Sequence, residues 1–237
     1  MKRKGDEEGR AREARKGVEK EEKEKGKGGR RKKMRFAIGG SKMKLLFITS
    51  NEHKVREIRD LALKMNANIE IEHLRVAYPE IQHEDIEFVA ESSAKFIRKE
   101  GLVGEEEPFF IEDSGLFIHA LNGFPGAFSS YVFKKIGNEG ILKLLRGVED
   151  RRALFKSVVA FSPRGFVVKT FVGVVEGRIA SEKRGASGFG FDPIFEFGGR
   201  TFAEMSVAEK NAVSHRGRAF RKFLNFILSS ASMREAD

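Results

Sequence analysis

Four segments of this chain hold residue types that could do chemistry. The first, Thr49-Ser50-Asn51-Glu52-His53-Lys54, sits between an apolar run and an amphipathic one. Two hydroxyls, an amide and a lysine around a helix start, where backbone N–H groups are free, make a ready polyphosphate site. The plainer alternative is a capping loop, with Ser50 or Asn51 as N-cap and Lys54 in solvent. The segment is neither a P-loop nor a dinucleotide fingerprint, because the required glycines are missing. The second, Glu112-Asp113-Ser114-Gly115, directly follows Phe109-Phe110-Ile111. Carboxylates at the end of a buried strand are costly to bury alone, so a partner cation is expected. Oxygen ligands of this kind suit Mg2+, which takes one or two carboxylates plus substrate phosphates. An acidic turn capped by Asp113 is the alternative. Glu80, in Tyr78-Pro79-Glu80-Ile81-Gln82, reads on its own as a surface glutamate.

The third segment runs from Gly185 to Phe195. Its glycines let backbone approach a ligand closely, and Phe189 and Phe191 could stack on a flat ring; alternatively both are core side chains in a tight turn. The fourth, Lys210-Asn211-Ala212-Val213-Ser214-His215-Arg216, opens the final helix with Ser214 as N-cap. His215 and Arg216 in a first turn oppose the helix dipole. An anionic or acceptor-rich ligand removes that conflict, and a solvated basic turn tolerates it. No Gly-x-Ser-x-Gly elbow or His-Glu-x-x-His occurs, and the five histidines are scattered. The usual nucleophile and zinc-hydrolase arrangements are therefore absent.

These segments must be held by regular elements, and the apolar pattern supplies them. Lys44 to Thr49 reads as a strand, and Val55, Ile58, Leu61 and Ala62 give Glu52 to Lys64 helical spacing. Ile69 to Val76 alternates as a half-buried strand does. Ile86, Val89, Ala90, Ala94 and Ile97 predict a helix over Glu84 to Glu100, stopped by Gly101. Phe109 to Ile111 and Leu116 to Leu121 read as two short strands, and Glu139 to Leu145 as a short helix. Arg152 to Phe161 and Gly165 to Ile179 are strand-rich runs joined by a hairpin-type turn at Ser162-Pro163-Arg164-Gly165. A last helix starts near His215 with Phe220, Phe223, Leu224 and Ile227 on one face. This order predicts an α/β fold, a mixed sheet with helices packed on it.

The chain has 237 residues and a formal net charge of +10. Residues 1–42 hold 17 basic and 8 acidic side chains, which leaves 28 and 27 over the remaining 195. The excess charge therefore belongs to a tail, and the body is nearly neutral. That tail buries too little to offset its ordering entropy and is expected to be disordered or transiently helical. Met43 is an alternative start, and residues 43–237 are the expected functional domain. The basic stretch Gly28 to Lys33 offers non-specific contacts with nucleic acid. No nucleic-acid partner is expected beyond these, because the body lacks the charge excess of a nucleic-acid domain. Zero cysteines exclude a disulfide scaffold, a zinc-thiolate site and a thiol nucleophile, and sit with a reducing cytosol. No apolar run approaches the roughly 20 residues of a membrane span, so no membrane partner is expected. The first 33 residues lack the apolar core of a secretory signal.

Taken together and in this order, the four segments resemble the inosine triphosphate pyrophosphatase family, the Ham1-like noncanonical purine NTP pyrophosphatases. The resemblance runs from about Met43 to Ser229. The family's Thr/Ser-x-Asn-x-x-Lys start matches Thr49 to Lys54. Its Asp-Ser-Gly-Leu matches Asp113-Ser114-Gly115-Leu116, followed by Gly123-Phe124-Pro125-Gly126. Its Gly-Phe-Gly-Tyr-Asp-Pro-Ile-Phe matches Gly188 to Phe195, with Phe191 where Tyr is usual, which removes a hydroxyl and keeps the stacking face. Its Ser-His-Arg matches Ser214-His215-Arg216, with Lys210 ahead of it.

The resemblance implies an elongated mixed central sheet flanked by helices, with two lobes around an active-site cleft, and a homodimer. It implies a cytoplasmic enzyme that hydrolyses ITP, dITP and XTP to the monophosphate and pyrophosphate with Mg2+. Asp113 would be the general base and a metal ligand, and Glu80 a second metal ligand. The phosphate chain would lie on Thr49, Ser50, Asn51, Glu52, His53 and Lys54. Phe189, Gly190, Phe191, Asp192, Lys210, His215 and Arg216 would hold the nucleoside, with Ser114 touching the substrate beside the base. Attack of water on phosphorus needs charge neutralisation and positioning rather than a covalent nucleophile, and these residues offer both. A donor such as Arg216 or a backbone N–H would favour a 6-oxo purine over adenine. Pyrophosphate release separates this reading from a silent nucleotide-sensing module on the same fold.

Overall fold

The computed structural model describes residues 42–164 and 167–232. Apart from Lys42, the expected tail at residues 1–42 lies outside the described residues, as do residues 233–237 and Gly165 of the expected hairpin turn. Strand β1 (Met43–Ile48), helix α1 (Glu52–Lys64) and strand β2 (Ile69–Leu74) form a parallel unit. Helix α2 (Ile86–Lys99) then leads to β3 (Phe109–Ile118), which pairs with β1 on the side away from β2. A 3-10 turn (His119–Leu121), the short β4 (Pro125–Gly126) and α3 (Ser129–Leu144) follow. Strands β5 (Arg152–Ser162), β6 (Lys169–Ile179), β7 (Phe195–Phe197) and β8 (Arg200–Thr201) add antiparallel neighbours. A second 3-10 turn (Phe202–Glu204) leads to α4 (Val207–Val213) and α5 (His215–Ser232). The sheet order is β2-β1-β3-β5-β6-β7-β8, with β4 on β3. The expected mixed sheet flanked by helices is thus present.

From Leu45 to Ile48, strand β1 reads as an unbroken apolar run because both of its faces are covered. Leu45 and Phe47 pack with Ile58 of α1 and with Phe220 and Phe223 of α5. Leu46 and Ile48 pack with Ile86, Ala90 and Ala94 of α2. A third cluster, around Leu116, Phe155, Ile179 and Phe195, takes Val132 and Ile141 from α3. At Gly173 of β6 a Cβ would stand 2.1 Å from the His215 carbonyl oxygen and 2.4 Å from the Ala219 nitrogen. Only glycine fits there, so this contact fixes where α5 begins. Among the described residues no helix is long and apolar enough to cross a membrane.

Several elements depart from the sequence expectation, and three bear on the site. Phe109–Ile111 and Leu116–Leu121 are not separate strands: Glu112 to Gly115 continues β3 between them, paired with Val159 to Lys156 of β5. The polar side chains that break the apolar pattern find partners in the cleft described below. The helix expected over Glu139–Leu145 begins at Ser129, and Gly137 (φ 58°, ψ −164°) kinks it and breaks its period. Helix α4, opened by a Ser206–Glu209 capping box, was not expected and carries Lys210.

Candidate active site

The site begins with a gap in the sheet. Strand β1 ends at Ile48, and its partners on β3 are Phe109 and Phe110. Strand β4 joins β3 at Leu116 and Phe117. Between them, Ile111 to Gly115 has β5 on one side and, among the described residues, no strand on the other. The strand order also reverses here, with β2 on one side of β1 and β3 on the other. Open α/β sheets collect ligands outside the strand ends at such a point. A cleft of about 830 Å3 opens at the gap. Thr49 to Lys54, Glu80, Asp113, Ser114, Phe189 to Asp192, Lys210, His215 and Arg216 all line it. One cleft therefore gathers every site residue expected from the sequence.

Asn51 is the N-cap of α1. Its side chain accepts from the N–H of His53 at 3.0 Å and of Lys54 at 3.4 Å, and Thr49 Oγ1 accepts from the Asn51 N–H at 3.1 Å. His73 of β2 hydrogen-bonds the Thr49 carbonyl at 2.8 Å and steadies the loop from below. Ser50 and Glu52 are exposed, and Glu52 pairs with Arg75 at the rim. Lys54 is not solvated. Its Nζ donates to the Glu112 carbonyl at 2.9 Å and pairs with the Glu112 carboxylate at 3.0 Å. The ammonium thus occupies a backbone acceptor beside the gap that β1 leaves.

Behind the cleft lies a buried charge network that ties α1, β3, α4 and α5 together. Lys210 Nζ donates to Glu57 at 2.7 Å and to Asp192 at 2.6 Å. Arg216 is 1% exposed; its Nη1 donates to Glu57, its Nη2 to Ser114 Oγ at 3.1 Å, and its Nε pairs with Glu112 at 3.2 Å. Ser157 Oγ donates to the other Glu112 oxygen at 2.5 Å. Burial works to raise the pKa of Glu112, but Arg216, Lys54 and Ser157 outweigh it and hold the carboxylate well below its usual range. Glu57 is lowered in the same way, with Arg216 and Lys210 overcoming its burial. The dipole conflict noted at His215 and Arg216 is thus relieved inside the protein, not only by a ligand. Arg216 is neutralised by two acids. His215 is held well below its usual pKa by burial and by Arg216, and its neutral ring stacks on Phe155 at 4.5 Å.

Sequence reasoning missed Glu57 altogether; for Glu112 it expected a partner cation, which Lys54 and Arg216 supply, but gave it no place among the site residues. A signal for Glu57 was present: it shares the buried face of α1 with Val55, Ile58 and Leu61, where a lone carboxylate needs a cation. The two phenylalanines of the glycine-rich segment also separate. Phe191 is buried and packs edge-on against Phe133 (5.2 Å, 88°). Phe189 faces the cleft, with the His53 ring stacked at 5.1 Å and the Lys210 ammonium 4.9 Å from its centre. Gly188, at φ +76°, makes the turn that lets the Phe189 N–H donate to Asp192 at 2.8 Å.

Asp113 follows Glu112 on one strand, so its side chain leaves from the opposite face. Both line the cleft, on the side that, among the described residues, no strand closes. The Ser114 N–H donates to Asp113 Oδ1 at 2.8 Å. Burial pushes the Asp113 pKa up to about 6; Lys54 opposes the rise, while Glu112 and Glu80 add to it. Burial raises the Tyr78 phenol as well, with Glu80 and Asp113 contributing. Glu80 therefore lies near enough to Asp113 to add to its rise, against the opposing charge of Lys54. No three His, Asp or Glu among the described residues form a complete cage for an ion. Two carboxylates that leave positions open for substrate oxygens fit a Mg2+ ion.

A cleft at the reversal of an α/β sheet, lined by the Phe189 ring and by the carboxylates of Asp113 and Glu80, is suited to a nucleotide. The Ham1 family model matches residues 45–226, and the chain belongs to that family. A dITP/XTP pyrophosphatase of Pyrococcus horikoshii is 53% identical over 187 residues, 78% of this chain and 97% of that protein. A dITP/XTP pyrophosphatase of Saccharolobus solfataricus is 46% identical over 189 residues, covering 79% and 95%. Among solved structures, a HAM1 protein from Coxiella burnetii matches with a TM-score of 0.65 at 31% identity, covering 78% of this chain and 98% of that one.

Proposed function

We propose that this protein hydrolyses the noncanonical purine nucleoside triphosphates dITP, ITP and XTP to the monophosphate and pyrophosphate, clearing them from the nucleotide pool. The observation that carries the reading is the gathering of all the motif residues in one cleft, in a chain about half identical to proteins named dITP/XTP pyrophosphatase. Asp113 is the general base. A pKa of about 6 leaves it ionised at neutral pH yet basic enough to take a proton from water. Asp113 and Glu80 would hold Mg2+, which when bound supplies charge neutralisation for the phosphates. Phe189 offers the flat face for the purine. Glu57, Glu112 and Ser114 hold Arg216 in the cleft wall, where a guanidinium N–H would reward a 6-oxo group and leave a 6-amine unpaired.

The reading places the enzyme in the cytoplasm with its substrates, and the absence of cysteine fits a reducing compartment. A homodimer would cover Phe124, Phe128, Tyr131 and Ile136, apolar side chains exposed on α3 and just before it. The deciding experiment is a panel of nucleoside triphosphates with Mg2+, scored for pyrophosphate. dITP, ITP and XTP should be turned over and ATP and GTP left nearly untouched. Equal turnover of all five, or release of orthophosphate alone, would reject the reading.

A further inference from the structure

The cations behind the cleft are already neutralised. Lys54 pairs with Glu112, Lys210 with Glu57 and Asp192, and Arg216 with Glu57 and Glu112. Among the side chains that line the cleft, the acids Glu52, Glu80, Glu112, Asp113 and Asp192 outnumber Lys54, Lys134, Lys210 and Arg216. Glu57 adds another acid from behind. A triphosphate brings several further negative charges, each of which must be met by a cation or by water. The internal network cannot supply that charge, because its cations are spent on its own acids.

Lys134 differs from the other three. It lies on the first half of α3, lines the cleft and, among the described residues, has no carboxylate partner. Ser130, one turn earlier, lines the cleft with it; residues four apart lie on one helix face. No acidic residue occurs in α3 before its kink at Gly137. The backbone that carries Lys134 is held on both sides. Phe133 packs on Phe191, and the Asn138 side chain donates to the Gly190 carbonyl at 3.2 Å, beyond the kink. The helix is therefore registered against the segment that faces the purine, while the exposed Lys134 side chain is free to reach in. A flexible ammonium serves as a point charge for phosphate rather than as a planar reader of a base.

We propose that Lys134, with the Ser130 hydroxyl beside it, binds the polyphosphate end of the substrate. This rests on the proposed pyrophosphatase reading and adds to it a cation that lies outside all four sequence motifs. The test compares wild type, Lys134→Ala and Lys134→Arg at constant Mg2+. The alanine variant should raise KM for dITP about tenfold and weaken inhibition by inorganic pyrophosphate by a similar factor, the scale of one charge-assisted contact. Inhibition by dIMP should stay as in wild type, and Lys134→Arg should recover most of both losses. Unchanged pyrophosphate inhibition would overturn the proposal, and so would equal weakening of pyrophosphate and dIMP. Calorimetric titration with pyrophosphate reads the same contrast without turnover. A wild type that binds pyrophosphate through Lys134 but does not cleave dITP would defeat the reaction assignment and leave this contact standing.

Discussion

The guanidinium of Arg216 on α5 grips the carboxylate of Glu57 on α1, 159 positions earlier in the chain, where neither group meets solvent to any extent. The same carboxylate also takes Lys210, so one acid fastens both cations of the C-terminal motif. Glu57→Gln should therefore cost about 3–5 kcal/mol in denaturant unfolding, because it strands buried positive charge. Glu52→Gln, at an exposed pair, should barely move the midpoint. Comparable small losses for both would mean that the network does not hold α1 to α5.

Asp113→Asn should lower turnover by about 10²-fold or more, since an amide cannot accept the proton. For wild type, kcat/KM should rise with pH and level off above about 6, the raised Asp113 value. Stability has the opposite sign. The folded state holds this proton more tightly than the unfolded chain does, so ionised Asp113 costs stability as pH climbs past 3.8, in full above about 6. Asp113→Asn should then be the more stable protein at pH 8, by about 3 kcal/mol, and equal to wild type near pH 3. Thermal melts across that range check it; a variant less stable than wild type at pH 8 would contradict it.

Glu80→Gln should shift the Mg2+ titration of activity to higher concentration and leave the level at saturation largely restored. Glu80 stands at the rim, contributes to the raised pKa of Asp113, and makes no ion pair that would give it another task among the described residues. An unmoved titration would remove it from the metal site.

His53→Ala should lower KM for dITP by about two- to tenfold, the scale of one aromatic pair. The His53 and Phe189 rings are 5.1 Å apart, and a purine between them needs roughly 7 Å. The imidazole must therefore leave before the base can stack on that face. A higher KM would instead make His53 part of the platform.

Gly173→Ala should destabilise the protein severely, since the added methyl would meet backbone atoms of α5 that cannot swing aside. Gly137→Ala, with nothing within 4 Å of the new Cβ, isolates the cost of a positive φ alone and should be the milder change. Denaturation midpoints rank the two.

The four motifs were legible because each sits whole within a few residues of sequence. Glu57 was not, since a single carboxylate acquires meaning only when Lys210 and Arg216 arrive from the far end of the chain. Glu112 and Asp113 looked like a turn because polar residues interrupt the apolar run. Pairing with β5 and the cations of the cleft keep the strand extended there. Phe189 and Phe191 are alike by type and spacing, yet one faces the cleft and the other the core; the turn at Gly188 and packing on Phe133 decide it. Helix α3 was underestimated because Gly137 divides its period.

A stretch of backbone such as Ile111 to Gly115, paired on one side only among the described residues, is a template on which a stray extended chain could add itself as a strand. Lys54 already holds the Glu112 carbonyl, and Asp113 places a carboxylate in the path of any newcomer. An incoming backbone would forfeit a hydrogen bond and bury a charge. The groups that give the cleft its chemistry thus also act as gatekeepers, protecting the protein from strand-mediated aggregation where its sheet is incomplete.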